Sequence, residues 1–375
     1  MDVENINHIL EKVDQKLRVT SRRIGDSIPY TTGKDGKYDD RFAELPNAWT
    51  NGFYPGLLWL MYEQTGRNDY RRYAEQIGEK LFRIFERPSE LHHDMGFLFS
   101  LSSVKEYELT GNERAKETGL LAAMVLASRY NIKGRYIRAW QGEGVKGTFG
   151  IIDCMMNIPL LYWASEIEQD ARYKNIADSY AHTVMKSHIR EDGSVNHIVS
   201  FDPETGEILK SYGGQGYGDG SSWSRGQAWA LNGYAQCYEW TKDPSYLSTA
   251  KRVAHYFISS LGEDFIPLCD FRQPKEPHIV DSSAGMIAAS GLVSIAEAAE
   301  EYEKSLYLDA AVKLVETYDE KLCNYGLDSE ELVPMGTVDY HMEEGIHIPL
   351  IYSDYYFVET LCKLKAYFER QREND

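Results

Sequence analysis

Residues 65–74 read TGRNDYRRYA and residues 241–250 read TKDPSYLSTA. Both stretches keep a threonine, a tyrosine and an alanine at the same spacing. Each follows one segment of helical apolar periodicity and opens the next, with the tyrosine and the alanine on one face of the second segment. The pattern is typical of a helical hairpin, in which a short turn joins two helices and the small residue lets them approach closely.

Similar hairpins recur along the whole chain, for example around Thr110-Gly111, Tyr173 and Tyr307. The periodicity predicts twelve helices, at residues 4–22, 53–65, 68–87, 95–110, 112–130, 152–168, 171–189, 224–241, 244–261, 283–302, 304–322 and 354–371. These form five successive hairpins, with the last helix free to pair with the first. The repeats are too unevenly spaced for an open solenoid of identical units.

Closure into a ring is the simplest way to bury the inner face of every hairpin. The sequence therefore predicts an all-α fold, an (α/α)6-barrel of six helical hairpins. Short strands are expected in its loops at residues 135–140 and 195–201. No linker rich in proline, glycine or serine divides the chain, so we expect a single catalytic domain over residues 1–375.

Composition excludes several classes of partner. The formal net charge of −18 argues against nucleic-acid binding, which requires a clustered positive field. The longest apolar run, residues 120–127, is far shorter than the roughly 20 residues of a membrane span. The five cysteines are scattered and lack C-x-x-C spacing, which fits a reducing cytoplasm and gives no four-cysteine zinc site. With no secretory signal visible either, we expect a cytoplasmic protein that does not contact membranes.

Polar and aromatic motifs precede the first helix of nearly every hairpin. They lie at residues 49–53, 92–97, 151–154, 213–229, 281–283 and 352–356. If the first helices of the hairpins form the inner ring, these motifs gather at one mouth of the barrel. Helix N-termini at that mouth favour an anionic ligand.

Two aspartates stand out among these motifs. An aspartate before a helix is most often an N-cap, and this remains an alternative for both Asp94 and Asp153. Asp153 lies between Ile152 and Cys154 in an apolar neighbourhood, which removes the hydration of an ionised carboxylate and suits proton transfer.

Arg225 and Trp229 lie four residues apart, on one face of a helix. A guanidinium can bind a carboxylate through two hydrogen bonds, and an indole can stack on a sugar ring. A structural ion pair beside a core tryptophan explains the same spacing equally well.

Taken together, these motifs resemble those of the unsaturated glucuronyl hydrolases, glycoside hydrolase family 88. The similarity extends over nearly the whole chain and is strongest at residues 49–53, 92–97, 152–154 and 219–229. It implies an (α/α)6-barrel that needs no metal and no organic cofactor. It also implies a substrate: oligosaccharides cut by polysaccharide lyases, which carry a Δ4,5-unsaturated uronic acid at the non-reducing end. Such enzymes release that uronic acid by adding water across the C4=C5 vinyl ether.

The resemblance assigns roles by position. Asp153 matches the general acid and base, and Asp94 the supporting carboxylate. The other matched positions imply substrate binding by Trp49, His93, His197, the backbone at Gly213, Gln215, Arg225 and Trp229. The mechanism requires Asp94 and Asp153 to meet at one sugar-sized hollow.

The chain departs from the family pattern at Tyr352-Ser353, where relatives usually carry Trp-Gly, and residues 343–349 do not align. Sulfation and linkage preferences therefore stay open. Three alternatives remain: an unsaturated rhamnogalacturonyl hydrolase with the same chemistry, a sugar epimerase on the same barrel, and a non-catalytic sugar-binding protein. The motif at residues 92–94 favours the glucuronyl enzyme over the first.

Overall fold

Helices dominate the computed structural model, which describes residues 1–140 and 147–374. In this part of the chain the twelve principal helices are α1 (Val3–Ile24), α2 (Phe53–Thr65), α3 (Asn68–Phe82), α4, α5 (Glu113–Ser128), α6 (Pro159–Glu168), α7 (Ala171–Ser187), α8 (Ser224–Thr241), α9 (Pro244–Ser260), α10 (Ser282–Ala298), α11 (Glu301–Lys321) and α12 (Ile351–Asn374). Helix α4 consists of the contiguous segments Met95–Phe99, Ser100–Val104 and Lys105–Thr110, of which the middle one is π-helical.

The repeated hairpin turns form as the sequence predicts. Helix α2 ends at Gly66, whose left-handed backbone (φ 67°) lets its N–H bond the carbonyl of Tyr62. At the second copy Asp243 caps α9, since its carboxylate accepts a hydrogen bond from the Ser245 N–H at 2.8 Å. Tyr70 and Ala74 are buried, as are their counterparts in the second copy, Tyr246 and Ala250.

The helices form two concentric rings. Helices α2, α4, α6, α8, α10 and α12 contact one another in that order, and α12 contacts α2 to close the inner ring. The other six helices lie outside, and α1 packs on α12. Inner helices such as α10 are buried almost all round, whereas outer helices such as α9 bury one face. The predicted (α/α)6-barrel is confirmed.

Two small antiparallel sheets lie in the loops of the described residues. Strand β1 (Tyr130–Asn131) pairs with β2 (Tyr136–Ile137). Strands β3 (Thr148–Ile151), β4 (Ile198–Phe201) and β5 (Ile208–Tyr212) form a three-stranded sheet in that order. The strands predicted at 135–140 and 195–201 contain β2 and β4.

Several predicted boundaries were wrong by a turn or more. The helix predicted from residue 152 begins at Pro159, because Ile152–Met156 form a 3-10 turn and a proline is favoured in the first turn of a helix. Helix α10 ends at Ala298, not at residue 302, and α11 begins at Glu301. None of the helices in the described residues is both long and apolar enough to cross a membrane.

Candidate active site

A cavity of about 330 Å³ lies among the turns that precede the inner helices. Its walls come from the segments before α2, α4 and α6 and from the three-stranded sheet. The lining residues are Trp49, His93, Asp94, Phe97, Trp140, Ile151, Asp153, His197, Ile198, Gly214 and Gln215. The predicted motifs of the first half of the chain therefore meet at one place, and Asp94 and Asp153 line the same hollow.

Asp94 precedes α4 but does not cap it, since its side chain makes no capping hydrogen bond. Its carboxylate instead faces His92 Nδ1 at 3.1 Å and His93 Nε2 at 3.4 Å, and accepts a hydrogen bond from Asn157 Nδ2 at 3.0 Å. Burial alone would raise the pKa of Asp94, but the two histidines and the Asn157 amide lower it to about 2. Asp94 is therefore ionised at neutral pH in the cavity wall.

The two histidines before Asp94 differ in environment. His92 Nε2 lies 2.6 Å from the carbonyl of Asn47, so this nitrogen carries a proton. Burial opposes the charged form of His92, but the hydrogen bond and charge of Asp94 raise its pKa overall. His93 is 1% exposed, and burial lowers its pKa despite the charge of Asp94. A neutral imidazole at His93 can donate or accept a hydrogen bond toward a sugar hydroxyl.

His197 lies beside Asp153. The backbone N–H of Gln215 donates to His197 Nδ1 at 3.1 Å, so Nδ1 is an acceptor and the ring N–H is on Nε2. That Nε2 lies 3.2 Å from Asp153 Oδ2. This oxygen is buried and makes no well-aligned hydrogen bond within the described residues, which leaves it available to a ligand.

A glycine makes the Gln215 turn possible. Gly214 has a left-handed backbone (φ 59°), and a Cβ at this position would lie 2.1 Å from His197 Nδ1. The Gln215 side chain is fixed from the other side, because its Nε2 donates to the carbonyl of Val338 at 2.6 Å. The turn is thus held between the His197 ring and the Val338 carbonyl.

Three residues predicted to bind substrate lie outside the cavity lining: Gly213, Trp229 and Arg225. Gly213 does not line the cavity, but its neighbour Gly214 does. Trp229 is fully buried behind the wall, with its ring 5.0 Å from Phe97 and 6.3 Å from Trp49. Its indole supports the rings that face the cavity.

Arg225 is 1% exposed and is used within the protein. Its guanidinium donates to Asp281 Oδ2 at 2.6 Å and to the carbonyls of Thr337 and Val338 at 2.5 and 2.6 Å. Because the Val338 carbonyl also accepts from Gln215, Arg225 supports the Gln215 turn from behind. The structural ion pair that the sequence left open is the arrangement observed.

Sequence reasoning missed two residues of the site. Asn157 is fully buried: its Nδ2 donates to Asp94, and its Oδ1 accepts from the Phe97 N–H at 2.8 Å. Its position one helical turn after Asp153 was the available signal. Trp140, at the end of a predicted strand, lines the cavity with its ring 6.2 Å from His93.

Residues 20–239 match the family model for glycosyl hydrolase family 88. This match covers more than half of the chain and includes the segments that supply both aspartates, His197 and Gln215.

The chain belongs to this family.

Similar proteins agree over nearly the full length. The chain is 35% identical to the unsaturated glucuronyl hydrolase of Bacillus sp. (strain GL1), over 93% of this chain and 99% of that one. It is 33% identical to the unsaturated chondroitin disaccharide hydrolase of Streptococcus pyogenes serotype M1, over 96% and 91%. The crystal structure of unsaturated glucuronyl hydrolase from Streptococcus agalactiae superposes with a TM-score of 0.90 at 31% identity, covering 98% and 93% of the two chains.

The family establishes the reaction. The protein is a glycoside hydrolase that releases the Δ4,5-unsaturated uronic acid from the non-reducing end of oligosaccharides by hydrating the C4=C5 vinyl ether.

Proposed function

We propose that Asp153 is the general acid and base of this hydration and that Asp94 is its supporting carboxylate. The observation that carries the proposal is that both carboxylates line one cavity in different surroundings. Asp94 is held ionised, with a pKa of about 2, by His92, His93 and Asn157. Asp153 has a buried oxygen without a well-aligned partner, beside the Nε2 proton of His197.

The reaction uses one carboxyl group twice. Protonated Asp153 gives its proton to C4 of the vinyl ether, and the resulting positive charge at C5 is shared with the ring oxygen. Ionised Asp94 stabilises this charge. Asp153, now a carboxylate, accepts a proton from the water that attacks C5. The hemiketal formed opens and releases the remaining saccharide.

The other lining residues position the substrate. Trp49 presents an aromatic face on which the sugar ring packs. His93 and the Gln215 turn provide hydrogen bonds to sugar hydroxyls or to the attacking water. Trp229 and Arg225 support these residues without lining the cavity. Trp229 packs beside Trp49, and Arg225 holds the Val338 carbonyl that also binds Gln215.

The substrate class follows from the named relatives. We take unsaturated glycosaminoglycan disaccharides of the chondroitin type as the first substrates, because one similar enzyme is named for that activity. Turnover is measured as the loss of absorbance of the conjugated double bond. A preference for unsaturated rhamnogalacturonan disaccharides over chondroitin disaccharides would contradict this substrate assignment.

Replacing Asp153 with asparagine tests the assignment of the acid. Asp153→Asn keeps the size of the side chain but cannot deliver the proton, so we expect turnover to fall by about 10²–10⁴-fold with little change in melting temperature.

The matched control is Asp170→Asn, which replaces the N-cap of outer helix α7 with an equally good capping residue and leaves activity unchanged. Near-full activity in Asp153→Asn would remove that residue from its role.

We also place the enzyme in the cytoplasm. All five cysteines are free thiols, which suits a reducing compartment. Recovery of the native enzyme in a secreted or periplasmic fraction would contradict this location.

A further inference from the structure

The three-stranded sheet extends one wall of the cavity outward. Ile151 and Ile198 line the cavity and are paired across β3 and β4. Tyr212 is paired with Ile198 across β4 and β5. Side chains of directly paired residues lie on the same face of a sheet. Tyr212 therefore lies on the face that forms the cavity wall, one strand further out.

The same face carries two more residues, two positions further along the strands. Phe149 lies two positions before Ile151, and Lys210 two positions before Tyr212, so both point to this side. Phe149 and Lys210 are each paired with Ser200 of the central strand. The opposite face carries Phe201, which is buried against Tyr136.

Ring contacts make this wall continuous. Trp140 lies 6.2 Å from His93 inside the cavity, and Phe149 lies 6.0 Å from Trp140. Tyr212 lies 6.0 Å from Phe149, with the two ring planes nearly perpendicular. We call Phe149 and Tyr212 the outer aromatic pair. It continues the row of rings that begins beside the catalytic carboxylates.

The outer aromatic pair is accessible and held in place. Phe149 and Tyr212 are both partly exposed, and Trp140 is 41% exposed. Lys210 Nζ lies 4.6 Å above the Tyr212 ring and 2.8 Å from Asp219 Oδ2, so one face of Tyr212 is covered by a fixed cation. Accessible aromatic rings bind the apolar faces of sugars while their edges stay hydrated.

We propose that the outer aromatic pair binds the sugar units that follow the cleaved uronate on its reducing side. This rests on the proposed function, which places the unsaturated ring between Asp94 and Asp153. The rest of the saccharide then leaves the cavity past Trp140 and lies along the sheet face. The enzyme consequently acts on longer unsaturated oligosaccharides with a lower KM than on disaccharides.

The test compares two substrates with the same unsaturated end, a disaccharide and the tetrasaccharide of the same repeat. For the unmodified enzyme we expect a lower KM with the tetrasaccharide. Tyr212→Ala should raise the tetrasaccharide KM by about 3- to 10-fold, the loss of one stacking contact, and leave the disaccharide KM unchanged. Phe149→Leu should act in the same direction while still filling the sheet surface.

The matched control is Ile208→Ala. Ile208 is on the same strand and is 54% exposed, but it is directly paired with Phe201 and so lies on the opposite face. It should change neither KM.

Two results would overturn the inference. If Tyr212→Ala and Phe149→Leu leave the tetrasaccharide KM unchanged, or change both substrates equally, the outer aromatic pair binds no sugar. If the unmodified enzyme turns over neither substrate, the proposed function fails and the inference fails with it.

Discussion

Asn157 links the two acidic residues of the cavity. It lies on the turn after Asp153, and its amide holds the carboxylate of Asp94 on one side and the Phe97 N–H at the start of α4 on the other. The packing there is tight, since a Cβ on Gly96 would lie 2.4 Å from the Asn157 Cα. The position of the Asp94 carboxylate thus depends on a buried amide from the segment that follows Asp153.

Replacing Asn157 with alanine removes the donor that helps keep Asp94 ionised. We expect the pKa of Asp94 to rise from about 2, so the acidic limb of the kcat–pH profile moves up by about one pH unit. At neutral pH kcat should fall by about 10-fold with a smaller change in KM, because the misplaced carboxylate acts in the transition state. The measurement is kcat from pH 8 down to about pH 1.5, a range that contains the acidic limb of both proteins.

Asn232→Ala is the control for a merely structural loss. Asn232 is a buried amide of α8 that donates to the Ile287 carbonyl, away from the cavity lining. Its removal should lower the melting temperature without moving the profile. An Asn157→Ala profile that coincides with the original would show that the amide does not act on Asp94.

The capping behaviour of aspartates shows what sequence could and could not reveal about the site. Asp243 and Asp281 cap their helices, whereas Asp94 precedes α4 without capping it. All three read alike in sequence, and only the resemblance to the family separated them. Arg225 was ambiguous for a similar reason, since its partner Asp281 is 56 positions away and the contact depends on how the ring closes.

Helix α4 contains an ionisable group that has no part in the mechanism. Glu106 follows the π-helical segment, is 6% exposed, and accepts a hydrogen bond from Asn112 Nδ2 at 2.5 Å. Burial, helped by the charges of Glu75 and Glu79, raises its pKa to about 7. The folded protein therefore holds this proton up to about neutral pH.

Glu106→Gln should stabilise the protein at alkaline pH but not at acidic pH. Below pH 4.5 the group is protonated in both states and the substitution is neutral. Between pH 4.5 and about 7 the unfolded chain ionises first, so the original protein loses stability as pH rises. At pH 8 the glutamine variant should gain up to about 3 kcal/mol in the free energy of unfolding.

The measurement is the free energy of unfolding at pH 4 and at pH 8. Glu117→Gln, on the exposed face of α5, is the control and should give no such difference. A Glu106→Gln variant whose stability changes equally at both pH values would contradict the expected linkage.

The helical elements were predictable because their signals are local. Apolar periodicity and the Thr-Tyr-Ala turns located the twelve principal helices but not the short helix Arg41–Glu44. The π-helical segment was not predictable, because its sequence, SLSSV, is compatible with an ordinary α-helix. The start of α6 was misplaced because Ile152–Met156 continue the apolar pattern while the backbone forms the 3-10 turn that presents Asp153.

The outer helix α1 packs against α12 and contacts the segment that precedes α12. Lys16 of α1 is 1% exposed and donates from Nζ to the carbonyls of Asn324 and Glu331 at 2.8 and 2.6 Å. Burial lowers its pKa, although the charge of Asp354 acts in the opposite direction. One buried cation therefore joins the first helix of the chain to the last loop.

Lys16→Met should destabilise the protein by about 2–4 kcal/mol, since two buried carbonyls lose their donor and Asp354 loses a nearby positive charge. The enzyme that remains folded should keep its kcat, because Lys16 is outside the cavity lining. Chemical denaturation followed by fluorescence gives the change, and the predicted single domain implies one transition.

Lys12→Met, one turn earlier in α1, is the comparison. Lys12 is partly exposed in an ion pair with Asp319 and should contribute about 1 kcal/mol or less. Equal losses for Lys12→Met and Lys16→Met would contradict the special role of the buried cation.

Helix α12 sits between α10 and α2 in the inner ring. A chain truncated before residue 351 would leave the apolar flanks of both neighbours exposed and the ring open. Such a truncated chain should aggregate even if the other helices form.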